Sequence, residues 1–261
     1  MVNTINKLET RVMKQLAAFI IEDRFFEDFG KTCSDHFKHL PKGTDLYVYT
    51  SDEHVEKYTE QLSKNKLKAT FLPYNKNIET PISIKYIPGL EQLLKDERMK
   101  SLFNMCMVMT QPDFWKDYFG YERVLIFQRD TAVLRGGIEG FFDYDYVGAP
   151  CYNFVKDQTI QNGGFSLRNP RVMEYICRMY GWNTDLQDMM VVGQYSSASF
   201  FAEDIFFCLR MIKYNAGKLA PLDVSQRFSV ESRFALGTLG YHRIDTYLTE
   251  DEQKQIKEQY K

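Results

Sequence analysis

The chain has 261 residues, 44% of them hydrophobic, and a formal net charge of −2. That length sustains one sizeable core, and the balanced charge excludes bulk electrostatic attraction to nucleic acid or an anionic membrane, so a phosphate-bearing ligand needs a local site. The five cysteines, Cys33, Cys106, Cys151, Cys177 and Cys208, are scattered without a C-x-x-C pair, which disfavours a disulfide framework or a zinc cluster and fits a reducing, cytoplasmic compartment.

In chain order, Met1 to Gln15 is polar and charged, and the apolar run that follows covers only Leu16 to Ile21. That is too short for a signal segment, and no stretch approaches the roughly 20 apolar residues of a membrane helix. Leu16–Ile21 instead predicts a buried strand, with a helix over Phe25–Leu40 behind it. Asp45–Thr50 is a second strand, followed by a helix to about Ser63 that Ser51 or Asp52 caps. Lys68–Pro73 predicts a third strand, Gly89–Phe103 a helix and Asp113–Tyr118 a short one. Arg123–Gln128, short, β-branched and apolar, reads as a central parallel strand buried on both faces.

After Asp130 the chain becomes glycine-punctuated, with strands expected at Asp145–Gly148 and Phe165–Leu167 and helices at Pro170–Tyr180 and Glu203–Tyr214. Trp182–Ser199, rich in small and polar residues, reads as a long loop, a feature that in compact domains is usually functional or disordered. Thr249–Lys261 reads as a charged, solvated helix. The alternation of strands and helices predicts one α/β domain over 1–261, with its core at about 16–245 and a mostly parallel sheet flanked by helices.

Parallel sheets bind ligands at the carboxyl ends of their strands, which singles out Glu22-Asp23-Arg24 and Gln128-Arg129-Asp130. Asp130 either holds a hard cation or caps the next turn. Asn162-Gly163-Gly164 either lets a ligand approach the backbone closely or forms a hairpin turn. Glu203 and Asp204 either favour a helix N-terminus or supply a carboxylate that takes a proton from an attacking hydroxyl. His242 is a structural histidine or a ligand, whereas His36, His39 and His54 lie in charged helical contexts and read as surface residues.

The order of these motifs resembles GT-A-type glycosyltransferases, most closely an uncharacterised glycosyltransferase-like domain family. The resemblance spans about residues 16–245. It is carried by Val124–Asp130, Leu134–Glu139, Tyr144–Pro150, Asn162–Asn169 and Glu203–Phe207, with Phe114-Trp115 and Gly240-Tyr241-His242 on either side. It implies a Rossmann-like fold that transfers a sugar from a nucleotide-diphosphate donor, most commonly a UDP-sugar, to a hydroxyl on a glycan, protein or small molecule. The D-x-D motif of GT-A enzymes falls on Gln128-Arg129-Asp130, so Asp130 and the late His242 would hold Mn²⁺ or Mg²⁺, and Gln128 stands where the first acid is expected. Glu22, Asp23, Arg24 and Arg129 would line the nucleotide site, and Asn162, Gly163 and Gly164 would face the donor sugar or acceptor. Asp204 would be the base and Glu203 an acceptor binder in an inverting displacement; a retaining route is the alternative. A catalytically silent nucleotide-sugar-binding module is a second reading, motivated by Gln128. A sugar-phosphate nucleotidyltransferase ranks lower, because Glu22–Phe26 lacks a glycine-rich phosphate loop.

Overall fold

The computed structural model describes residues 13–74, 90–155, 158–182 and 201–260. Strands β1 (Lys14–Ile21), β2 (Asp45–Thr50), β3 (Thr70–Pro73) and β4 (Tyr121–Ile126) run parallel. Beside β4 lie two antiparallel partners, β6 (Tyr146–Val155) and β7 (Gln158–Arg168), giving the order β3-β2-β1-β4-β7-β6. A second sheet joins β5 (Thr131–Val133), β9 (Gly240–His242) and β8 (Ser229–Val230) in that order.

The central strands carry apolar runs, Leu16–Ile21 in β1 and Val124–Ile126 in β4, because both faces of the large sheet are covered there. Side chains alternate between the two sides: Ala17, Phe19, Val124 and Ile126 enter one core cluster, and Leu16, Ala18, Ile20 and Leu125 the other. Helices α1 (Phe29–Phe37) and α2 (Asp52–Lys64) pack on the second cluster through Phe29, Cys33, Tyr58 and Leu62. On the first cluster lie α3 (Leu90–Leu93), α4 (Glu97–Met109), α5 (Pro112–Lys116), α6 (Pro170–Met179) and α7 (Glu203–Tyr214). The chain then continues through α8 (Leu222–Phe228), α9 (Ile244–Tyr247) and α10 (Glu250–Glu258). Among the described residues no helix is long and apolar enough to cross a membrane.

The mixed α/β architecture agrees with expectation, and the differences have local causes. The expected helix over Phe25–Leu40 begins only at Phe29, because Tyr58 draws the approach segment aside: its hydroxyl accepts from the Phe26 amide at 3.3 Å and its ring stacks on Phe25. The helix expected over Gly89–Phe103 is broken at Asp96, whose carboxylate accepts from the Arg98 and Met99 amides and starts α4 afresh. Asn162-Gly163-Gly164 lies inside β7, so the hairpin-turn reading is excluded. The strand expected at Asp145–Gly148 runs on to Val155. The small sheet was not foreseen, since strands of two and three residues carry no readable period. Most of the long loop expected over Trp182–Ser199 lies outside the described residues; Trp182 itself is buried and donates to Thr110 Oγ1 at 3.3 Å.

Two further expectations are corrected. His36 is a core residue, with Nδ1 2.7 Å from Thr32 O, Nε2 2.8 Å from Thr131 Oγ1 and its ring against Phe127. Burial pushes its imidazole down to about 4, so it is neutral at ordinary pH. The charged tail does form a helix, α10, opened by a reciprocal Thr249–Glu252 capping box, but it is not wholly solvated: Ile256 is fully buried with Val230 and Ile244.

The last residue of β7, Arg168, meets the first residue of α7, Glu203, in the core. Both guanidinium ends reach the carboxylate, Nη2 at 2.9 Å from Oε1 and Nη1 closer still on Oε2. Arg168 is fully buried, with its charge 4.6 Å from the Tyr146 ring centre and 5.4 Å from that of Phe207. Removing one partner of such a pair strands a charge in the core. Arg168→Met should therefore cost about 3–5 kcal/mol, and adding Glu203→Leu should recover much of it. Denaturant unfolding of the two variants checks this; a single variant as stable as the parent would show that the pair does not hold β7 to α7.

Candidate functional site

Between β1 and β4 the strand order reverses, since β1 leads to β2 on one side while β4 lies on the other. In open parallel sheets such a switch point opens a crevice beyond the carboxyl ends of the strands. A cleft occupies that place, lined by Glu22-Asp23-Arg24 from the end of β1 and Gln128-Arg129-Asp130 from the end of β4, with Tyr74, Arg98 and Arg243 around them. Glu22 turns inward and accepts from the Arg24 amide and Nε, both at 3.1 Å. Asp23 accepts from Ser101 Oγ at 2.9 Å. Arg24, Arg98 and Arg129 are exposed, so the rim of an otherwise acidic cleft carries cations.

The small sheet builds the second half of the site. Its register sets Thr131 opposite His242, and the Arg243 amide donates to the Asp130 carbonyl at 2.9 Å, so the end of β9 is fastened to the turn after β4. Thr131 Oγ1 ties that turn back to the Gln128 carbonyl at 2.6 Å, with His36 behind it. His242 Nε2 consequently lies 3.5 Å from Asp130 Oδ1 and 3.2 Å from Gln128 Oε1. The other ring nitrogen, Nδ1, is 3.2 Å from Oε1 of buried Glu231, outside good hydrogen-bond alignment. Burial opposes charge on both His242 and Asp130, but their contact outweighs it, lowering the Asp130 carboxyl below its usual range and, together with nearby Glu231, raising the His242 imidazole above its own.

Asp130 Oδ1 is buried without a hydrogen-bond partner, and the His242 imidazole approaches the same point. An orphaned carboxylate oxygen beside a ring nitrogen is a donor set that a divalent cation could use, with water or a ligand's oxygens in its remaining positions. Among the described residues, no group of three or more His, Cys, Asp or Glu side chains converges on one point. Asp130 and His242 are thus two candidate ligands at this point.

Asp204 lies on the other side of β7. Its Oδ2 accepts from the Gly163 amide at 3.1 Å and its Oδ1 from the Ile205 amide at 2.7 Å. Burial, with neighbouring Glu203 adding to it, pushes the Asp204 carboxyl up to about 7. A Cβ on Gly163 would sit 2.1 Å from Glu203 Oε1, and one on Gly164 2.5 Å from His242 Nε2. Successive strand residues face opposite ways, so Asp204 and the Asp130–His242 pair approach Gly163-Gly164 from opposite faces of β7. The last β4–β7 pair is Ile126 with Ser166, so both glycines lie beyond the end of β4.

Several placements differ from what the residue types suggest. The Gly163 and Gly164 amides are already taken, by Asp204 and by Asn162 Oδ1 at 2.7 Å, and are not free for a ligand's hydroxyls. Asn162 also donates to Glu231 at 3.2 Å, so its side chain frames the site. Both oxygens of Glu203 belong to Arg168 rather than to the cleft. Three contributors escaped sequence reasoning: Arg168, Glu231 and His36. Only His36 left a usable signal, since Phe29, Cys33 and His36 share one helical face.

Residues 91–242 match the model of a family described as Protein of unknown function (DUF5672). A comparison with curated proteins gives no match. The fold is similar to that of mouse xyloside xylosyltransferase 1 in its apo form, at 12% identity and a TM-score of 0.52, covering 90% of this chain and 99% of that one. The apo-form glycosyltransferase GlyE of Streptococcus pneumoniae TIGR4 aligns at 12% identity and a TM-score of 0.47, over 91% of this chain and 55% of its own.

The raised Asp204 carboxyl has a measurable effect on stability. Its proton is bound more tightly in the folded chain than in the unfolded one, where a carboxyl titrates near 3.9. Below about pH 4 both states are protonated and its contribution is fully present; between about pH 4 and 7 the unfolded state ionises first and stability falls. Asp204→Asn should flatten that decline, read from urea midpoints across the range. A slope equal to the parent's would mean that Asp204 ionises in the fold as easily as in water.

Proposed function

This chain belongs to the DUF5672 family, and we propose that it is a GT-A-type glycosyltransferase. It moves a sugar from a nucleotide-diphosphate donor, a UDP-sugar by preference, to a hydroxyl acceptor with inversion and divalent-metal assistance. The observation that carries this reading is the pairing, across Gly163-Gly164, of a carboxyl with raised proton affinity on one face and the Asp130–His242 pair on the other. The similarity in fold to a xylosyltransferase supports it.

Glu22, Asp23 and Arg24 line the nucleotide end of the cleft, and Arg98, Arg129 and Arg243 bring positive charge to the phosphates. Asp130 and His242 would hold Mn²⁺ or Mg²⁺, which would supply positive charge against that growing on the leaving diphosphate. The acceptor oxygen forms a bond to the anomeric carbon while the bond from that carbon to the diphosphate breaks. The bonding pair leaves with the diphosphate. Asp204 takes the hydroxyl proton, a task for which a carboxyl titrating near 7 is well matched. Glu203, held by Arg168, orients the first turn of α7 behind it.

A second reading, a catalytically silent nucleotide-sugar-binding protein, is favoured by Gln128, which supplies no charge where the D-x-D motif of GT-A enzymes has an acid. A screen of nucleotide sugars for Mn²⁺-dependent thermal stabilisation and nucleotide release separates the two. The silent protein would be stabilised without releasing nucleotide.

With a working donor, Asp204→Asn should keep donor affinity and lose about 10²- to 10⁴-fold in turnover. The parent kcat should rise through about pH 7 and level above it, and the variant should lack that rise. Asp130→Ala should abolish the metal-dependent part of donor binding, as calorimetry with and without Mn²⁺ would show. Near-normal turnover in Asp204→Asn would remove it as the base.

A further inference from the structure

We propose that Gln128 is itself a metal ligand, through its amide oxygen, so that the site is a three-ligand set of Gln128 Oε1, Asp130 Oδ1 and His242 Nε2. The inference rests on the metal reading of Asp130 and His242 given above and adds a ligand to it.

Three observations carry it. First, the distances fit: Nε2 is 3.2 Å from the Gln128 oxygen and 3.5 Å from the Asp130 oxygen. Neighbouring ligands around an octahedral cation bound at about 2.1 Å stand roughly 3 Å apart. Second, the amide is turned the right way. Its NH₂ group faces Met105 Sδ at 3.7 Å, a weak acceptor, which leaves the carbonyl oxygen facing His242. Third, the space is kept clear: a Cβ on Gly164 would lie 2.5 Å from His242 Nε2 and 2.9 Å from Gln128 Oε1. Only glycine lets these two groups meet there.

The chemistry follows from the donor set. A side-chain amide oxygen is a hard ligand of the kind that binds Ca²⁺ and Mg²⁺, and the imidazole shifts preference toward Mn²⁺ or Co²⁺. Glu231 Oε1 lies 3.2 Å from Nδ1 without hydrogen-bond alignment, so it is the charge of the carboxylate that favours a proton on that nitrogen once a cation occupies Nε2. Glutamine in place of the first acid of a D-x-D motif therefore keeps an oxygen ligand and removes one negative charge. The site is weakened by that change and remains a site.

The test is Mn²⁺ titration of the full chain by electron paramagnetic resonance, with the metal alone and again with inorganic diphosphate, whose oxygens fill the remaining positions. Gln128→Leu should weaken Mn²⁺ binding by about tenfold or more, at least the cost of losing an outer-sphere partner. Gln128→Glu, which keeps the side-chain length and adds a charge, should tighten it by a similar factor. With Co²⁺ in place of Mn²⁺, the visible spectrum should differ between parent and Gln128→Leu. A parent that binds no metal in either condition, or two variants that bind Mn²⁺ as the parent does, would overturn the proposal; Gln128→Glu still decides if the leucine variant fails to fold. Metal binding that depends on residue 128 without turnover of any nucleotide sugar would leave this site standing and remove the glycosyltransferase reading. Transfer with Mn²⁺ affinity indifferent to residue 128 would do the reverse.

Discussion

The buried contact between Arg168 and Glu203 is the constraint on which the rest of the site depends. Arg168 sits in the sheet between Val124 of β4 and Tyr146 of β6. Its charge has no route to water and must be answered in place, so the first turn of α7 can dock on β7 in only one way. That docking sets Asp204 against the Gly163 amide. It also dictates the residue at 163, where a Cβ would lie 2.7 Å from Arg168 Nη2. Asn162–Asn169 and Glu203–Phe207, which look like separate motifs in the sequence, are one interlocked unit in the fold.

The other half of the site has a different architecture. The large sheet ends β4 at the switch point, and a small sheet of short strands then carries His242 back to the turn where Asp130 lies. Neutral His36 underpins that turn through Thr131 Oγ1, a contact that a charged imidazole would make only at the expense of burying an ion. The two halves meet at Gly163 and Gly164. Their lack of side chains allows both sets of functional groups to approach the same stretch of backbone from its two faces.

Much of this was legible in the sequence because the central strands are continuous apolar runs and ligands gather at strand ends. Those two rules point to Glu22–Arg24 and Gln128–Asp130 from the residues alone. What escaped was long-range pairing. Arg168 finds Glu203 35 residues away, Asn162 finds Glu231 69 away and His36 finds Thr131 95 away. No local pattern marks such partners. Asn162-Gly163 stayed ambiguous because the same dipeptide serves a hairpin turn and the close approach of another group to a strand. Arg168 looked like an ordinary charged residue at the end of a strand, although it is one of the most deeply buried side chains of the described structure.

The last helix has a consequence for how long the site stays assembled. α10 places one fully buried side chain, Ile256, into a cluster with Val230 of β8, Ile244 of α9 and the partly buried Tyr241 of β9, and Gln259 accepts from the Gly237 amide at 2.6 Å. So few buried contacts make this corner a unit that opens at a lower free energy than the large sheet. His242 belongs to that corner by sequence and to the cleft by position. Undocking of α10 should therefore loosen the Tyr241 side of β9 first, and amides there should exchange with solvent sooner than those of the large sheet.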